Sequence, residues 1–556
     1  MNFNHKHNSG FLRGAVAILA IALGTALFPG AGEKASAGMC DQTTTTSGIW
    51  ECRGAANPGS DIRQHLTSAT SGDLVVTTTD DFGMNVATSD AIWLVTTNIA
   101  LGIDATIGGL VSSRGGHGIR VLNQGTGTAA INVGATVNVT GDGINLNTQS
   151  TAGDVTVNAT GAITAGSRGI NATHQSPGSL VINSGNINAV DNGINVFTTS
   201  QSNSVTINAT GDIRSGSRAI NAEHFGRGEL SIFLAPNATI TTTGPWGIDA
   251  TANTAGHSGQ PSPVTGGMNI MAMGSIGSAA SPVTGGIFVD YATIGDINIT
   301  AGNIYTTGRS IDVRTKADSS ALNINVIGNI MSTTAGGIVP DHQGAGDITI
   351  NVAPGASVNA PATGQTAIFA GGADAVVDIA GLVRGGQHAV RTGSSADSAL
   401  VRLRPGANII GAITAAGDNA AFELAAATAP FANTPSFSLG QLSGFDTIRK
   451  TGPNTWEIDG RVTTETFSLD DGALFLDEDA LVHITGNYEG NGGRLVMSAN
   501  FASGGRDPAS ASAFIVNGNT SGITPVEVRI TGNPAADAAI SAIITVIGAD
   551  AANAAN

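Results

Sequence analysis

Charge, aromatic rings and cysteine are all scarce in this chain of 556 residues. Charged residues make up 12% of it and aromatic ones 4%, and lysine is nearly absent. The formal net charge is −17, with no basic patch. Affinity for phosphates comes mainly from clustered Lys and Arg, so nucleic acid is excluded as a partner. The same acidity argues against docking on an anionic lipid surface. There are two cysteines, Cys40 and Cys52. In an oxidising compartment they read as one disulfide closing a small N-terminal loop, because a metal or redox site would want more ligands nearby. Catalytic signatures are missing as well. Gly256-His257-Ser258-Gly259-Gln260 fails as a nucleophile elbow at its last position. A phosphate-cradling Gly-rich loop, a His-Glu-x-x-His metal motif and calcium-binding nonapeptides do not occur. No cofactor is expected.

Glycine is abundant, at 77 residues, and 41% of the chain is apolar. That apolar share is too high for a disordered chain. Residues 1–13 are polar and basic, Gly14 to Phe28 is an uncharged apolar run, and Ala35-Ser36-Ala37 follows. This is the order of a secretory signal peptide, with cleavage expected after Ala37. The run is shorter than the roughly 20 residues that a spanning helix needs, and no second run of that length follows. The expectation is an exported chain, at the cell surface, on the outer membrane or secreted, with the periplasm as the alternative. Its mature part has no intrinsic membrane span. Beyond residue 37 the chain carries 21 basic and 40 acidic residues.

Self-similarity dominates what remains. Residues 155–174, VTVNATGAITAGSRGINATH, match residues 205–224, VTINATGDIRSGSRAINAEH, at 14 of 20 positions. A weaker copy from Val181 lies midway, so the unit is about 25 residues. A small residue followed by Ile or Val marks each copy, as at Gly143, Gly169, Gly193, Ala219, Gly247 and Gly286. Each unit holds three short runs of alternating character, and such runs read as strands with one buried face. Strands of this kind bury their apolar faces only by stacking. The fold class expected is all-β, a right-handed parallel β-helix of three-strand coils with a C-terminal cap. The divisions expected are a signal peptide (1–37), an N-terminal cap with the Cys pair (38–85), β-helical repeats (86–430) and a distinct C-terminal region (431–556).

Two polar columns follow from the repeat, one through Asn145, Asn171, Asn195, Asn221, Asp249 and Asp312. The other runs through Asn132, Asn158, Asn183, Asn208, Asn298, Asn325 and Asn351. Stacked amides hydrogen-bond along the axis, so a structural role suffices for both columns. The histidines His117, His174, His224, His257, His342 and His388 are expected at coil corners, solvated. Asp249, Asp290, Asp312 and Asp341 form a candidate acidic face, which a polysaccharide-active enzyme would use as paired carboxyls. The period breaks once, in the 39 residues from Gly247 to Gly286. Insertions in a solenoid map to loops, so His257, Gln260, Pro261, Pro263, Ser281 and Pro282 are candidate binding-loop residues.

Past Pro430 the core residues become heavier. The run Lys450-Thr451-Gly452-Pro453-Asn454-Thr455-Trp456-Glu457-Ile458, the segment Ser468 to Leu474 and the segment Val516 to Gly522 resemble the pertactin-like C-terminal passenger region of autotransporters. The likeness covers about residues 437–550 by motif. It implies an autochaperone-like cap with Trp456, Leu474, Phe475, Leu495 and Phe514 in its core. It also implies display on the cell surface through an outer-membrane translocator barrel. No barrel-like strands are present up to Asn556, so that barrel is expected to be supplied elsewhere or lost. On this reading the chain is a non-enzymatic adhesin or self-associating surface protein, whose partner is a protein or glycan on a host or neighbouring cell. The alternative is a lyase-like or hydrolase-like enzyme acting on polysaccharide.

Overall fold

The computed structural model turns this alternation into burial. Val155–Ala159 buries Val155, Val157 and Ala159 and leaves Thr156 and Asn158 half-exposed. The structure describes residues 38–533 and 544–546 except 44–47, 57–60, 69–72, 80, 97–101, 150, 200, 254–265, 317–318, 373, 394–397, 428–432 and 502–508. Val155–Ala159, Ile163–Ala165 and Ile170–His174 make one coil. Each strand pairs in parallel and in register with its counterparts: Val155 lies opposite Ala129 in the coil before and Leu180 in the coil after. The other two strands do the same, with Ile163 opposite Val137 and Ile187, and Ile170 opposite Ile144 and Ile194. The chain is a parallel β-solenoid with three sheets around one continuous apolar core. Apart from the single 3-10 turn Leu439–Gln441, the described residues hold no helix.

The small residue that marks each repeat has a steric cause. A Cβ on Gly169 would lie 2.3 Å from Ile187 Cγ2 and 2.5 Å from the Gly193 carbonyl oxygen. Only a glycine, or an alanine with slight relief as at Ala219, lets the corner close while Ile170 turns inward.

The stack extends beyond the range expected for the repeats. Met39–Gln42 lies antiparallel on Ile49–Arg53, with Cys40 opposite Cys52 and the two joined by a disulfide. Ile49–Arg53 then stacks in parallel on Leu74–Thr78, which stacks on Ile103–Ile107. Coils therefore begin inside 38–85. Trp50 is half-buried against the core, and its Nε1 donates to the Thr67 carbonyl at 3.1 Å. At the other end one sheet continues through Ala399–Leu403, Ala420–Leu424, Thr447–Lys450, Thr466–Leu469, Tyr488–Asn491 and Thr520–Ile523. Residues past 431 thus carry the same architecture with a different filling. Trp456, Leu474, Leu495 and Phe514 are buried as the resemblance implies. Phe475 is not in that core. It follows Leu474 on a strand, so it faces outward, half-buried, with the Arg529 guanidinium 4.9 Å from its ring centre.

Candidate functional site

The third sheet carries the acidic candidates, and its outward positions assemble by register alone. Asp249 lies opposite Asn221 and Phe288, and Phe288 lies opposite Asp312. In the next outward row Asp290 sits opposite Thr251 and Arg314, and Arg314 opposite Asp341. All four aspartates do share one face. They are not equivalent. Asp249 and Asp312 are buried, Asp290 is half-buried and Asp341 is exposed.

Arginines meet the buried pair. Arg218 Nε donates to Asp249 Oδ2, and Asp312 Oδ2 receives Arg309 Nη1 at 3.0 Å and Arg314 Nη2 at 3.5 Å. Burial pushes the Asp249 carboxyl up, and Glu223 and Asp290 add to that while Arg218 opposes it. Between these acids, Trp246 stacks on Phe288 with ring centres 5.1 Å apart, and the Arg314 guanidinium lies 5.1 Å from the centre of the Phe288 ring. Gly285 makes room for the indole: a Cβ there would lie 2.3 Å from Trp246 Cε3. The face is thus a lattice of ion pairs and stacked rings. Among the described residues no cluster of three or more His, Cys, Asp or Glu is placed to hold a metal ion.

The insertion enters the same region. His257, Gln260, Pro261 and Pro263 lie outside the described residues. Ser281 and Pro282 are exposed, in a turn closed by Ser278 N to Ser281 O at 3.0 Å and Ser281 N to Ser278 O at 3.1 Å. The chain then rejoins the stack at Val283, whose amide donates to the Tyr305 carbonyl at 3.0 Å. Between the two loops Met268–Ile276 pairs with both Leu230–Leu234 and Thr239–Thr242, so it serves two sheets at once.

The polar columns are hydrogen-bonded ladders. Asn208 Nδ2 donates to Asn183 Oδ1 at 2.7 Å, Asn183 to Asn158 at 2.6 Å and Asn158 to Asn132 at 2.7 Å. In the third sheet Asn221 donates to Asn195 at 2.9 Å and Asn195 to Asn171 at 2.8 Å, and Asn171 and Asn145 both reach Asp142. Asn298 departs from its expected column. It pairs with Asn269 and Asn323, while Thr300 pairs with Asn325, so it stands two residues off, on a neighbouring outward row.

The histidines are the larger departure. His174, His224 and His342 are buried, not solvated. Each imidazole Nδ1 meets a threonine one coil earlier: Thr148 to His174 at 2.9 Å, Thr198 to His224 at 2.9 Å and Thr315 to His342 at 2.8 Å. Each Nε2 faces a glycine carbonyl four residues on, Gly178 at 2.8 Å, Gly228 at 3.0 Å and Gly346 at 2.9 Å. A carbonyl only accepts, so Nε2 carries the proton and Nδ1 accepts from the threonine hydroxyl. That hydroxyl in turn accepts a backbone amide, from Gln175, Phe225 and Gln343 respectively. Asn123 fills the same place with Thr96 at 2.8 Å and Gly127 at 3.4 Å. Tyr291 fills it with its hydroxyl on the Gly266 carbonyl at 2.7 Å. Burial lowers the basicity of all three histidines, His224 to about 4. His117 and His388 are half-buried, and His257 lies outside the described residues.

The sequence signal for this column was the match at an offset of 50 rather than 25. Large and small residues alternate along the corner, so equivalence returns every second coil. Lys450 was also missed. It is buried, with its ammonium on the carbonyls of Thr451, Gly452 and Asp471 at 3.1, 2.6 and 3.0 Å. Desolvation lowers its pKa to about 8. Its inward direction follows from period two after Ile448, a pattern that a search for apolar residues passes over.

Comparison with models of known families, with curated proteins and with solved structures returns no match.

Proposed function

We propose that this chain is an exported passenger of autotransporter type, a non-enzymatic adhesive or self-associating surface protein. The observation that supports this most is the state of the buried outward acids. Asp249 is held by Arg218 and Asp312 by Arg309 and Arg314, an arrangement suited to a fixed surface rather than to proton transfer. A stack of in-register coils also presents rigid outward rows over a long distance, which suits recognition by many weak contacts. The cell-surface setting rests on the resemblance of residues 437–550 and on the signal-like N-terminus.

The test combines location and binding. Protease is added to intact producing cells, with a periplasmic protein as control. Cleavage of the solenoid while the control survives supports display; protection until the outer membrane is opened defeats it. For the loop, residues 254–265 are replaced by a Gly/Ser linker of equal length, which spares Met268–Ile276 and its two sheet pairings. Adhesion or cell–cell clumping should fall at unchanged thermal stability. Persistence of both would remove the loop from the account.

A polysaccharide-active enzyme is the second reading, and Asp249 is the observation that favours it. Burial, Glu223 and Asp290 raise its carboxyl, as a general acid requires, although this reading needs Arg218 to release it. Unchanged turnover of acidic glycans by Asp249→Asn would dispose of it.

A further inference from the structure

The amide ladder of the first sheet has an end, and that end opens into a pocket. Its amides all point the same way, each Nδ2 donating toward the preceding coil, from Asn208 down to Asn132. Opposite Asn132 in the preceding coil stands Thr106, whose side chain is too short to continue the series. The Asn132 Nδ2 donor has no acceptor among the described residues. Hydrogen bonds in a chain polarise one another, so this terminal N–H is a better donor than an isolated amide.

The cavity there measures about 350 Å³ and lies on the outward side of coils 74–160. Two wall hydroxyls, Thr106 and Thr160, make no bond within the described residues, and both are exposed. A third, Thr78, accepts the Gly108 amide at 2.7 Å and keeps its own proton to give. None of the described lining residues is ionisable. One exposed carboxylate, Asp81, accepts from the lining Thr79 hydroxyl.

Gly134 supplies the independent observation. Many glycines in this solenoid are compulsory, as at Gly161, where a Cβ would lie 2.0 Å from the Ala135 carbonyl oxygen. A Cβ on Gly134 would meet nothing closer than the Ile107 carbonyl oxygen at 3.9 Å. It would project into free space on the pocket wall. Packing does not demand a glycine there, but an open pocket does.

We propose that this cavity is a binding subsite for one neutral sugar ring. A hexose carries hydroxyls that both donate and accept, and a ring oxygen that accepts. It matches walls of unengaged hydroxyls and an amide donor. The absence of cationic groups among the described lining residues disfavours phosphate, sulfate and uronate. The volume falls at the small end of ligand sites, enough for one ring with the rest of a glycan outside. The inference deepens the adhesive reading but does not require export.

The experiment is saturation-transfer NMR on the purified chain with the methyl glycosides of glucose, galactose, mannose and N-acetylglucosamine, and with glucuronate as the anionic counterpart. At least one neutral glycoside should bind with millimolar Kd and glucuronate at least tenfold more weakly. Gly134→Leu should abolish the signal, with thermal stability unchanged because the side chain has room. Asn132→Asp keeps the acceptor for Asn158 and removes the free donor, and should weaken binding about tenfold. Binding of no neutral glycoside, equal binding by both variants, or a preference for glucuronate overturns the proposal. Adhesion of cells carrying the same variants is measured in parallel, and it bears on the adhesive reading alone.

Discussion

The outward row that begins with Asn132 can be followed along the whole stack, and its chemistry changes halfway. In the central coils it is an amide ladder, Asn132, Asn158, Asn183 and Asn208. Past Asn351 the same row reads Asp378, Arg402, Glu423 and Arg449. Arg402 there reaches Asp378 at 3.4 Å and Glu423 at 2.9 Å, and Arg404 reaches Asp378 at 2.6 Å. The core changes with it. Central coils are filled by Ile, Val, Leu and Ala. The C-terminal coils pack rings, with Phe422 5.1 Å from Phe437 and 5.7 Å from Phe445, and Phe514 5.5 Å from Phe467 and 5.3 Å from Tyr488. One backbone register thus tolerates two solutions. The difference lies in how much stability rests on a single residue: little in the uniform region, much in the aromatic one.

The sharpest test of that contrast is Trp456→Ala. The indole is buried and its Nε1 donates to the Ala425 carbonyl at 3.1 Å, so the loss should be about 3–5 kcal/mol. Ile182→Val in the central core should cost about 1 kcal/mol. Urea unfolding followed by circular dichroism for both variants separates them; equal costs would erase the distinction.

Acid should act on the central coils next. The folded pKa of His224 is lowered from 6.5 to about 4, so the unfolded chain binds the extra proton between those values. Its contribution is complete above pH 6.5 and is lost as pH falls toward 4, about 3 kcal/mol in all. His224→Asn, the solution already used at Asn123, should flatten the pH dependence of urea midpoints between 7 and 4. A variant as acid-sensitive as the parent would place the effect elsewhere.

Smaller still is one rung of the amide ladder. Asn183→Ala removes bonds to Asn158 and Asn208 and should cost about 1 kcal/mol, insensitive to salt. The counterpart Arg402→Ala should cost about 1 kcal/mol as well, since it leaves the buried Glu423 bonded only by Thr451 among the described residues, and unlike the amide rung its cost should shrink in 1 M salt. Identical salt responses would show that the two ladders are interchangeable.

Strands, stacking and the polar columns were legible because period two and period 25 are both written in the residue order. Five things were not. Asn298 looked like a ladder member because Ile297–Thr306 offers two outward positions before its bend, and alternation alone does not choose between them. Phe475 was drawn inward by its type, although its neighbour Leu474 had already fixed the parity. The corner histidines were misjudged because a residue's polarity says nothing of a partner one coil away. Asp249 and Asp312 were recognisable as neighbours on a face, but Arg218 and Arg309 come from corners, where the spacing varies, and only Arg314 stands on the strand itself. The coils inside 38–85 escaped notice because their spacing and small-residue marks are irregular.

The corner column has a consequence for how such a chain can lengthen. Thr96, Asn123, Thr148, His174, Thr198 and His224 alternate strictly between a short hydroxyl and a long acceptor. Excising the single coil that carries Thr198 would set two imidazoles against each other in a dry corner, with His174 still served by Thr148 and His224 left without a hydroxyl. Excising two coils would leave every corner complete. The solenoid is therefore counted in pairs, and growth or shrinkage by gene duplication is quiet only in even steps.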